Sequence, residues 1–172
     1  MTGEAAAPII VSALFGEDDH RRLDAQRRAH FPVERNFLSA HLTLFHHLPP
    51  SVEGELRARL RSACGAPPPS ATISGLHFLG RGVAWRVSSP GLEAIRAELA
   101  TAFAGVLVPQ DRAGWRPHVT IQNKVPPERA RALHAELEAG FSPRPLAIAG
   151  LAAWWYRGGP WEPVAAYRFG GG

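Results

Sequence analysis

The chain has 172 residues, 45% of them hydrophobic, and its 19 basic and 15 acidic side chains leave a small positive charge. This composition excludes a disordered chain, the length allows a sizeable core, and the single cysteine, Cys64, excludes an internal disulfide and a cysteine-based zinc site. Residues 1–8 lack a basic segment followed by an apolar run, and no stretch approaches about 18 uninterrupted apolar residues, so we expect a cytoplasmic protein without a membrane segment. We also expect it to be a monomer.

Hydrophobic patterns and turn residues predict an alternation of strands and helices along the chain. The predicted elements, in order, are strand 8–15, helix 17–30, strand 39–45, helix 51–64, strands 71–79 and 83–88, helix 90–103, an irregular loop 105–116, a strand at His118, helix 127–139, and strands 146–156 and 162–169. Ser51 and Ser89 are expected to cap the helices that follow them. The sequence Gly80-Arg81-Gly82 predicts a tight turn, and therefore a hairpin between the strands on either side of it.

This order of elements predicts an α+β fold with two pseudo-symmetric lobes. We place the lobes at roughly residues 8–80 and 81–172, packed as a single domain over residues 1–172. Because the connection between the lobes is short, they are expected to form one body. Each lobe is expected to contain a sheet rich in antiparallel pairs and flanked by helices, with a central cleft between the two sheets.

An internal repeat in the sequence supports the prediction of two pseudo-symmetric lobes. Residues 41–60 and 118–137 align without gaps, 77 residues apart, and seven of the 20 aligned positions are identical. Residues 73–76 and 148–151 also align, at an offset of 75. A repeat of this kind indicates one folding unit built twice. The identical pairs in the longer alignment are His41/His118, Thr43/Thr120, Pro49/Pro126, Pro50/Pro127, Leu56/Leu133, Ala58/Ala135 and Leu60/Leu137.

Both copies of the repeat begin with a His-x-Thr sequence in a predicted strand. Side chains alternate between the faces of a strand, so His41 and Thr43 share one face, and His118 and Thr120 share one face in the second copy. Packing against helices accounts for the apolar residues between them but gives no reason to retain both polar ones. If the two sheets face each other, two histidines and two threonines meet in one cleft.

Such a group of side chains suits acid–base chemistry at phosphorus. Histidine has an ordinary pKa of about 6.5, so one copy can accept a proton from the nucleophile while the other protonates the leaving oxygen. The threonine hydroxyls can donate hydrogen bonds to the non-bridging phosphate oxygens. This chemistry needs no metal and no cofactor, and we predict neither.

Two aromatic residues near the motifs are candidates for stacking on a base. Phe45 lies on the predicted face of His41, and Trp115 lies in the loop that leads to the second motif. A residue that seals the lobe interface explains Phe45 equally well.

Two basic residues are candidates for binding substrate phosphate. Lys124 occupies the repeat position of His47, six residues after the motif histidine, although a solvated side chain at a strand end is the alternative interpretation. Arg116 precedes His118 by two residues and can share its face, unless Pro117 breaks the alternation.

The paired motifs resemble those of the two-histidine phosphoesterases, the superfamily that includes the 2′-5′ RNA ligases and the cyclic nucleotide phosphodiesterases. The resemblance is carried by HLTLF at residues 41–45 and RPHVTI at residues 116–121, and the element order matches over nearly the whole chain. It implies a bilobal fold with a water-filled cleft and metal-independent hydrolysis of 2′,3′-cyclic or 2′-5′ phosphodiesters, with reversible RNA ligation in some members. The catalytic set that it implies is His41, Thr43, His118 and Thr120.

The leading hypothesis is a metal-independent phosphodiesterase that opens a 2′,3′-cyclic phosphate on a nucleotide or RNA end with water. One alternative is a 2′-5′ RNA ligase that runs the same chemistry in reverse. Another is a non-catalytic protein that binds nucleotides or RNA ends. The four intact motif residues favour an enzyme, and the sequence leaves open which histidine is the acid and which is the base.

Overall fold

Strands and helices alternate along most of the chain, and the computed structural model describes residues 6–170. The strands are β1 (Ile9–Phe15), β2 (Leu42–Leu48), β3 (Thr72–Phe78), β4 (Val83–Ser88), β5 (His118–Gln122), β6 (Arg144–Pro145), β7 (Ile148–Trp155) and β8 (Glu162–Arg168). The helices are α1 (Glu17–His30), α2 (Glu53–Ala63), α3 (Pro90–Ala102), α4 (Pro109–Arg112) and α5 (Pro127–Ala139). Short 3-10 turns lie at Val33–Arg35, Pro50–Val52 and Ala104–Val106.

Residues at the helix ends explain where several helices begin. The first turn of α1 is acidic and its last turn is basic, which matches the helix dipole. The hydroxyl of Ser89 accepts a hydrogen bond of 3.2 Å from the Leu92 amide, which confirms the predicted cap of α3. Pro90 and Pro127 begin α3 and α5, where a missing N–H is tolerated. The predicted bounds of α1, β4 and α5 agree with the structure.

Three local predictions are wrong. Ser51 lies inside a 3-10 turn and caps no helix, because α2 begins only at Glu53 and has no side-chain cap. Strand β2 begins and ends three residues later than predicted, since its pairing with β1 continues as far as Leu48. The loop that was predicted to be irregular contains α4, which begins at Pro109.

Each sheet has four strands, and the strands that are equivalent in the repeat occupy the same places in the two sheets, with β2 matching β5 and β7 matching β3. Sheet A is ordered β2-β1-β7-β8 and sheet B is ordered β5-β4-β3-β6, and the neighbouring strands are antiparallel. Helices flank the sheets, so the predicted α+β class with two antiparallel sheets is confirmed. Apolar side chains from both motif strands, including Leu42 and Leu44 on β2 and Val119 and Ile121 on β5, belong to one continuous core.

The predicted lobe boundary does not coincide with the division into sheets. Sheet A combines β1 and β2 with β7 and β8 from the other end of the chain, whereas sheet B contains the strands between them. Lobes at residues 8–80 and 81–172 would separate β3 from β4. The tight turn prevents this separation, because Gly80 has a φ of 87° and the Leu79 amide donates to the Gly82 carbonyl over 2.8 Å, which closes the predicted hairpin.

Each motif strand contains a bulge at the same place in the repeat. The pairing with the neighbouring strand skips one residue, Leu44 in β2 and Ile121 in β5. An extra residue on one strand reverses the direction of the side chains beyond it. Phe45 and Gln122, the residues after the two bulges, are therefore buried, with exposed fractions of 0% and 2%.

Two glycines at equivalent positions in the repeat have different surroundings. A Cβ atom at Gly150 in β7 would lie 2.2 Å from the Tyr167 carbonyl oxygen of β8. A Cβ atom at Gly75 in β3 would meet nothing within 4 Å. Strand β6 pairs only with Thr72 and Ile73 and therefore does not extend beside Gly75.

We expect Gly150→Ala to lower the free energy of unfolding by about 1–3 kcal/mol, because the added methyl group collides with main chain that cannot move aside cheaply. Gly75→Ala is the matched control and should change stability by no more than about 0.5 kcal/mol in the unfavourable direction. Urea denaturation of the three proteins measures both effects. Equal stability of the two variants would contradict the close approach of β7 and β8.

Candidate active site

The two motif histidines are held in the same way. His41 directly precedes β2 and His118 is the first residue of β5. The Nδ1 atom of His41 lies 2.9 Å from the Ser39 carbonyl oxygen, and that of His118 lies 2.8 Å from the Arg116 carbonyl oxygen. A carbonyl oxygen only accepts hydrogen bonds, so Nδ1 carries a proton in both rings. In the neutral imidazole, Nε2 is then the basic atom.

His41 is neutral at pH 7. Burial lowers its pKa from 6.5 to about 4, and the positive charges of Arg27, His118 and His46 act in the same direction. The hydrogen bond to the Ser39 carbonyl opposes this shift but does not outweigh it. The Nε2 atom of His41 is thus available as a proton acceptor at neutral pH.

Residues of the two motifs converge on one cavity of about 230 Å³, which we call the motif cavity. Thr43 from sheet A and His118 from sheet B both line it, together with His46, His77 and Arg116. Of the four motif residues, Thr43 and His118 line this cavity, whereas His41 and Thr120 do not. Thr120 is partly exposed on β5, and its carbonyl oxygen accepts a hydrogen bond of 3.0 Å from Arg27.

Each motif strand accepts a hydrogen bond from a buried arginine, which lies on a helix attached to the other sheet. Helix α1 connects two strands of sheet A, yet its Arg27 donates to the Thr120 carbonyl of sheet B over 3.0 Å. Helix α3 connects two strands of sheet B, yet its Arg96 donates to the Leu44 carbonyl of sheet A over 3.1 Å. Because β2 and β5 are edge strands, their outer carbonyls have no strand partner and take these donors instead.

Both guanidinium groups are buried and lie against aromatic rings. The Cζ atom of Arg27 is 4.1 Å from the Phe31 ring centre, and that of Arg96 is 4.3 Å from the Phe45 ring centre. Burial lowers the pKa of each arginine, but guanidinium groups stay charged in proteins. The aromatic rings and the carbonyls therefore stabilise positive charge in the interior.

Helix α4 fixes another wall of the motif cavity. The Asp111 carboxylate is fully buried and accepts hydrogen bonds from the main-chain amides of His46 and His47, at 2.9 and 3.0 Å. It also lies 3.1 Å from Nδ1 of His46, which sets the orientation of that ring. Burial raises the pKa of Asp111, but the hydrogen bonds from His46 and His47 outweigh burial and lower it overall. Asp111 is thus a carboxylate that positions His46.

The two motif histidines have different neighbours. The His41 ring lies 4.6 Å from the Trp161 ring, which is 6.1 Å from Trp154. A cavity of about 270 Å³ beside His41 contains these rings, and we call it the aromatic pocket. The His118 ring lies 6.2 Å from the His77 ring, at a cavity of about 430 Å³ that we call the cationic pocket because Arg86 and Arg116 line it.

Comparison with known proteins decides the family. A family model described as the 2′-5′ RNA ligase superfamily matches residues 15–160. The chain belongs to the 2′-5′ RNA ligase superfamily. This agrees with the resemblance to two-histidine phosphoesterases that the motifs carry. Among curated proteins the comparison found no match.

Solved structures share the fold of this superfamily member at low sequence identity. TT0787 of Thermus thermophilus is 16% identical, with a TM-score of 0.60 over 95% of this chain and 98% of that one. Escherichia coli LigT complexed with NADP⁺ is 17% identical, with a TM-score of 0.56 over 96% and 99% of the two chains. A protein described as a phosphoesterase is 16% identical, with a TM-score of 0.54 over 95% and 98%.

Neither a clustered metal site nor a membrane-spanning helix occurs in residues 6–170 of this superfamily member. Within this range no three histidine, cysteine, aspartate or glutamate side chains are grouped as ligands of a metal ion. No helix in the same range is long and apolar enough to span a membrane.

Phe45 does not lie on the strand face that carries His41 and Thr43. This corrects the prediction that it stacks on a substrate base. Its exposed fraction is 0%, and the Arg96 guanidinium covers its ring. The bulge at Leu44 is the physical reason, because strict alternation along β2 would have placed Phe45 beside His41 and Thr43. Because Arg96 belongs to a helix that connects two strands of sheet B, this contact agrees with the alternative interpretation, a residue that seals the lobe interface.

Lys124 is also not brought to the motif residues. It lies exposed in the turn after β5, with a φ of 65°, and lines neither the motif cavity nor the two flanking pockets. His118 is at the opposite end of that strand, which spans five residues at about 3.3 Å each. The exposed position of Lys124 agrees with the interpretation of a solvated side chain at a strand end.

Arg116 and Trp115 do reach the site. Both line the motif cavity and the cationic pocket together with His118. The Trp115 indole N–H donates to the Thr43 carbonyl over 3.0 Å, which connects the loop before the second motif with the first motif strand.

Sequence reasoning missed several residues of the site. Trp161 and Asp111 lie outside the repeated segments, and nothing in their local sequence indicates what they contact. Arg86 and His77 lie on the hairpin of sheet B. The pairing of His77 with Ala84 and of Arg86 with His118 becomes visible only with the strand register.

We expect Arg96→Leu to lower the free energy of unfolding by about 2–4 kcal/mol, because it leaves the buried Leu44 and Asp111 carbonyls without donors. Arg57→Leu, which removes an ion pair with Glu53 on the surface of α2, is the control and should change stability by about 0.5 kcal/mol or less. Urea denaturation followed by circular dichroism measures both. A loss no larger for Arg96 than for Arg57 would show that the cross-sheet hydrogen bonds contribute little.

Proposed function

We propose that this superfamily member hydrolyses an RNA-type phosphodiester without a metal ion, and that its substrate is a 2′,3′-cyclic phosphate on a nucleotide or RNA end. The observation that carries the proposal is the matched arrangement of His41 and His118, each with Nδ1 held by a main-chain carbonyl. Both rings thereby present Nε2 for proton transfer. We propose further that the protein acts as a monomer in the cytoplasm.

The different surroundings of the two histidines favour one division of roles. His41 is neutral at pH 7, since its pKa is about 4, so its Nε2 can take a proton from the attacking water. The water oxygen bonds to phosphorus and the bond from phosphorus to one ribose oxygen breaks. His118 enters the step as an imidazolium, with protons on both nitrogens, and gives its Nε2 proton to that ribose oxygen. One water is consumed, and afterwards His41 returns its proton to solvent and His118 takes one up, so the step needs no other reactant.

Thr43 and Thr120 are proposed to stabilise charge on the phosphate. Thr43 lines the motif cavity with His118, where its hydroxyl can donate to a non-bridging oxygen. Thr120 is its repeat equivalent on β5, and its main chain is fixed by Arg27. Donors placed in advance stabilise the charge that develops in the transition state.

A nucleotide ligand suits the aromatic pocket. Trp161 and Trp154 offer ring faces beside His41, and the Phe37 ring, which is 66% exposed, lies at the same pocket. Stacking on aromatic side chains is a common way to hold a base. Escherichia coli LigT has been solved with 3′-AMP, with ATP and with NADP⁺, all of which contain a nucleotide.

RNA ligation is the second candidate, favoured by the description of the matching family as 2′-5′ RNA ligases. In ligation, a ribose 5′-hydroxyl of a second RNA replaces water as the nucleophile, and the same two histidines carry the protons. Incubation with RNA ends that bear a 2′,3′-cyclic phosphate and a 5′-hydroxyl separates the two reactions. Hydrolysis gives a terminal monophosphate, whereas ligation gives a new 2′-5′ linkage.

We expect His41→Ala and His118→Ala each to lower kcat for 2′,3′-cyclic phosphate hydrolysis by at least about 100-fold, because each removes one proton transfer. His134→Ala, on the outer helix α5, is the control and should retain wild-type activity. Excess EDTA should leave the wild-type rate unchanged. Loss of activity with EDTA, or near wild-type turnover by either motif variant, would contradict the proposal.

The pH dependence of kcat/KM tests the assignment of His41 as the base. His41 loses its basic Nε2 only when it is protonated, so the acidic limb of the kcat/KM profile should fall through about pH 4. Below that midpoint the rate should drop about tenfold for each pH unit. An acidic limb with a midpoint near 6.5 would contradict a base with the lowered pKa of His41, and circular dichroism at each pH controls for unfolding.

A further inference from the structure

The aromatic pocket and the cationic pocket are two copies of one pocket. In sheet A, Leu14 pairs with Gly150, and in sheet B, Arg86 pairs with Gly75, the repeat equivalent of that glycine. Leu14 and Arg86 therefore occupy the same position relative to their motif strands. Each lines the pocket beside the motif histidine of its own sheet.

A second pair of positions confirms the equivalence. Ser39 and Arg116 each supply the carbonyl oxygen that accepts from the motif histidine, and each lines the pocket beside that histidine. The duplicated main chain thus builds the same cavity twice. The side chains differ at these two pairs of positions, because a leucine and a serine in one copy correspond to two arginines in the other.

The cationic pocket is built for an anion. Arg86 and Arg116 are exposed and converge on it with His77 and His118. Glu93 also lines the pocket, yet in residues 6–170 neither arginine forms an ion pair with it or with any other carboxylate. Burial lowers the pKa of His77, and the positive charges of His118, Arg86 and Arg116 lower it further. Uncompensated positive charge of this kind attracts phosphate.

We propose that the cationic pocket binds a second phosphate of the substrate, one that is not cleaved. Guanidinium groups suit phosphate oxygens, which they bind through paired N–H donors. The aromatic copy of the pocket offers no comparable charge and is left for the base. This inference rests on the proposed function and narrows its substrate class to nucleotides that carry a phosphate beyond the cyclic one, such as the 5′-phosphate of the last nucleotide of an RNA chain.

Two substrates that differ by one phosphate test the subsite. The wild-type enzyme should show a kcat/KM at least about tenfold higher for a 5′-phosphorylated adenosine 2′,3′-cyclic phosphate than for adenosine 2′,3′-cyclic phosphate, as expected for a charge-assisted contact. Arg86→Leu installs the residue of the aromatic pocket and should bring this ratio close to one, while Arg86→Lys should restore part of it. Arg112→Leu, an exposed arginine of α4 outside the pocket, should leave the ratio unchanged.

Equilibrium binding keeps the test separate from the reaction. Calorimetry should show adenosine 3′,5′-bisphosphate binding at least about tenfold more tightly than adenosine 3′-monophosphate to the wild-type protein, and with equal affinity to Arg86→Leu. Equal affinities of the wild-type protein for the two nucleotides would overturn the subsite, even if the cyclic phosphate is hydrolysed. Tighter bisphosphate binding without any hydrolysis would instead support the subsite and overturn the proposed reaction. Thermal denaturation of each variant confirms that it is folded.

Discussion

The rest of the structure depends on two buried arginines, each of which reaches from a helix of one sheet to the motif strand of the other sheet. Both motif strands lie at sheet edges, where the outer carbonyls have no strand partner and must find other donors. Arg27 and Arg96 supply those donors, each from a helix whose neighbouring strands belong to the opposite sheet. A charged guanidinium is costly to bury unless it is fully paired, so each arginine admits few arrangements of its surroundings. The two sheets are thereby fixed relative to each other, and residues of both motifs meet.

Duplication of the main chain and divergence of the side chains together explain the site. The repeated features are those that set geometry: a bulge after the motif threonine, a carbonyl that holds Nδ1 of the histidine, and a pocket beside each ring. The features that differ set chemistry. The Trp161 ring lies against His41, and burial lowers the pKa of His41 and keeps it neutral. Arginines lie beside His118. The two equivalent histidines thus have unequal surroundings, which suits the proposed reaction because it needs both an acid and a base.

Local signals predicted most of the elements, and the failures share one cause. Helix α1, with its acidic first turn, and α3, with Ser89 before Pro90, follow from interactions within a few residues, so the sequence indicates them reliably. Phe45 was misplaced because strict alternation cannot anticipate a bulge, which depends on the partner strand. The lobe boundary failed similarly, since strand partners are chosen by contacts between distant parts of the chain. Nothing near Asp111 in sequence indicates that its carboxylate meets the amides of His46 and His47.

The amino-acid sequence by itself determined the repeat, the two His-x-Thr motifs, the α+β class and the family, because each of these is written in residue types at fixed spacings. Only the tertiary structure decided which strands share a sheet, that Phe45 and Lys124 lie away from the motif residues, and that Arg86 and Trp161 lie beside them. The physical reason is the distance along the chain over which the interactions act. Side-chain alternation and helix caps act over a few residues, whereas the burial that lowers the pKa of His41 and the charge that gathers beside His118 come from segments brought together only by folding.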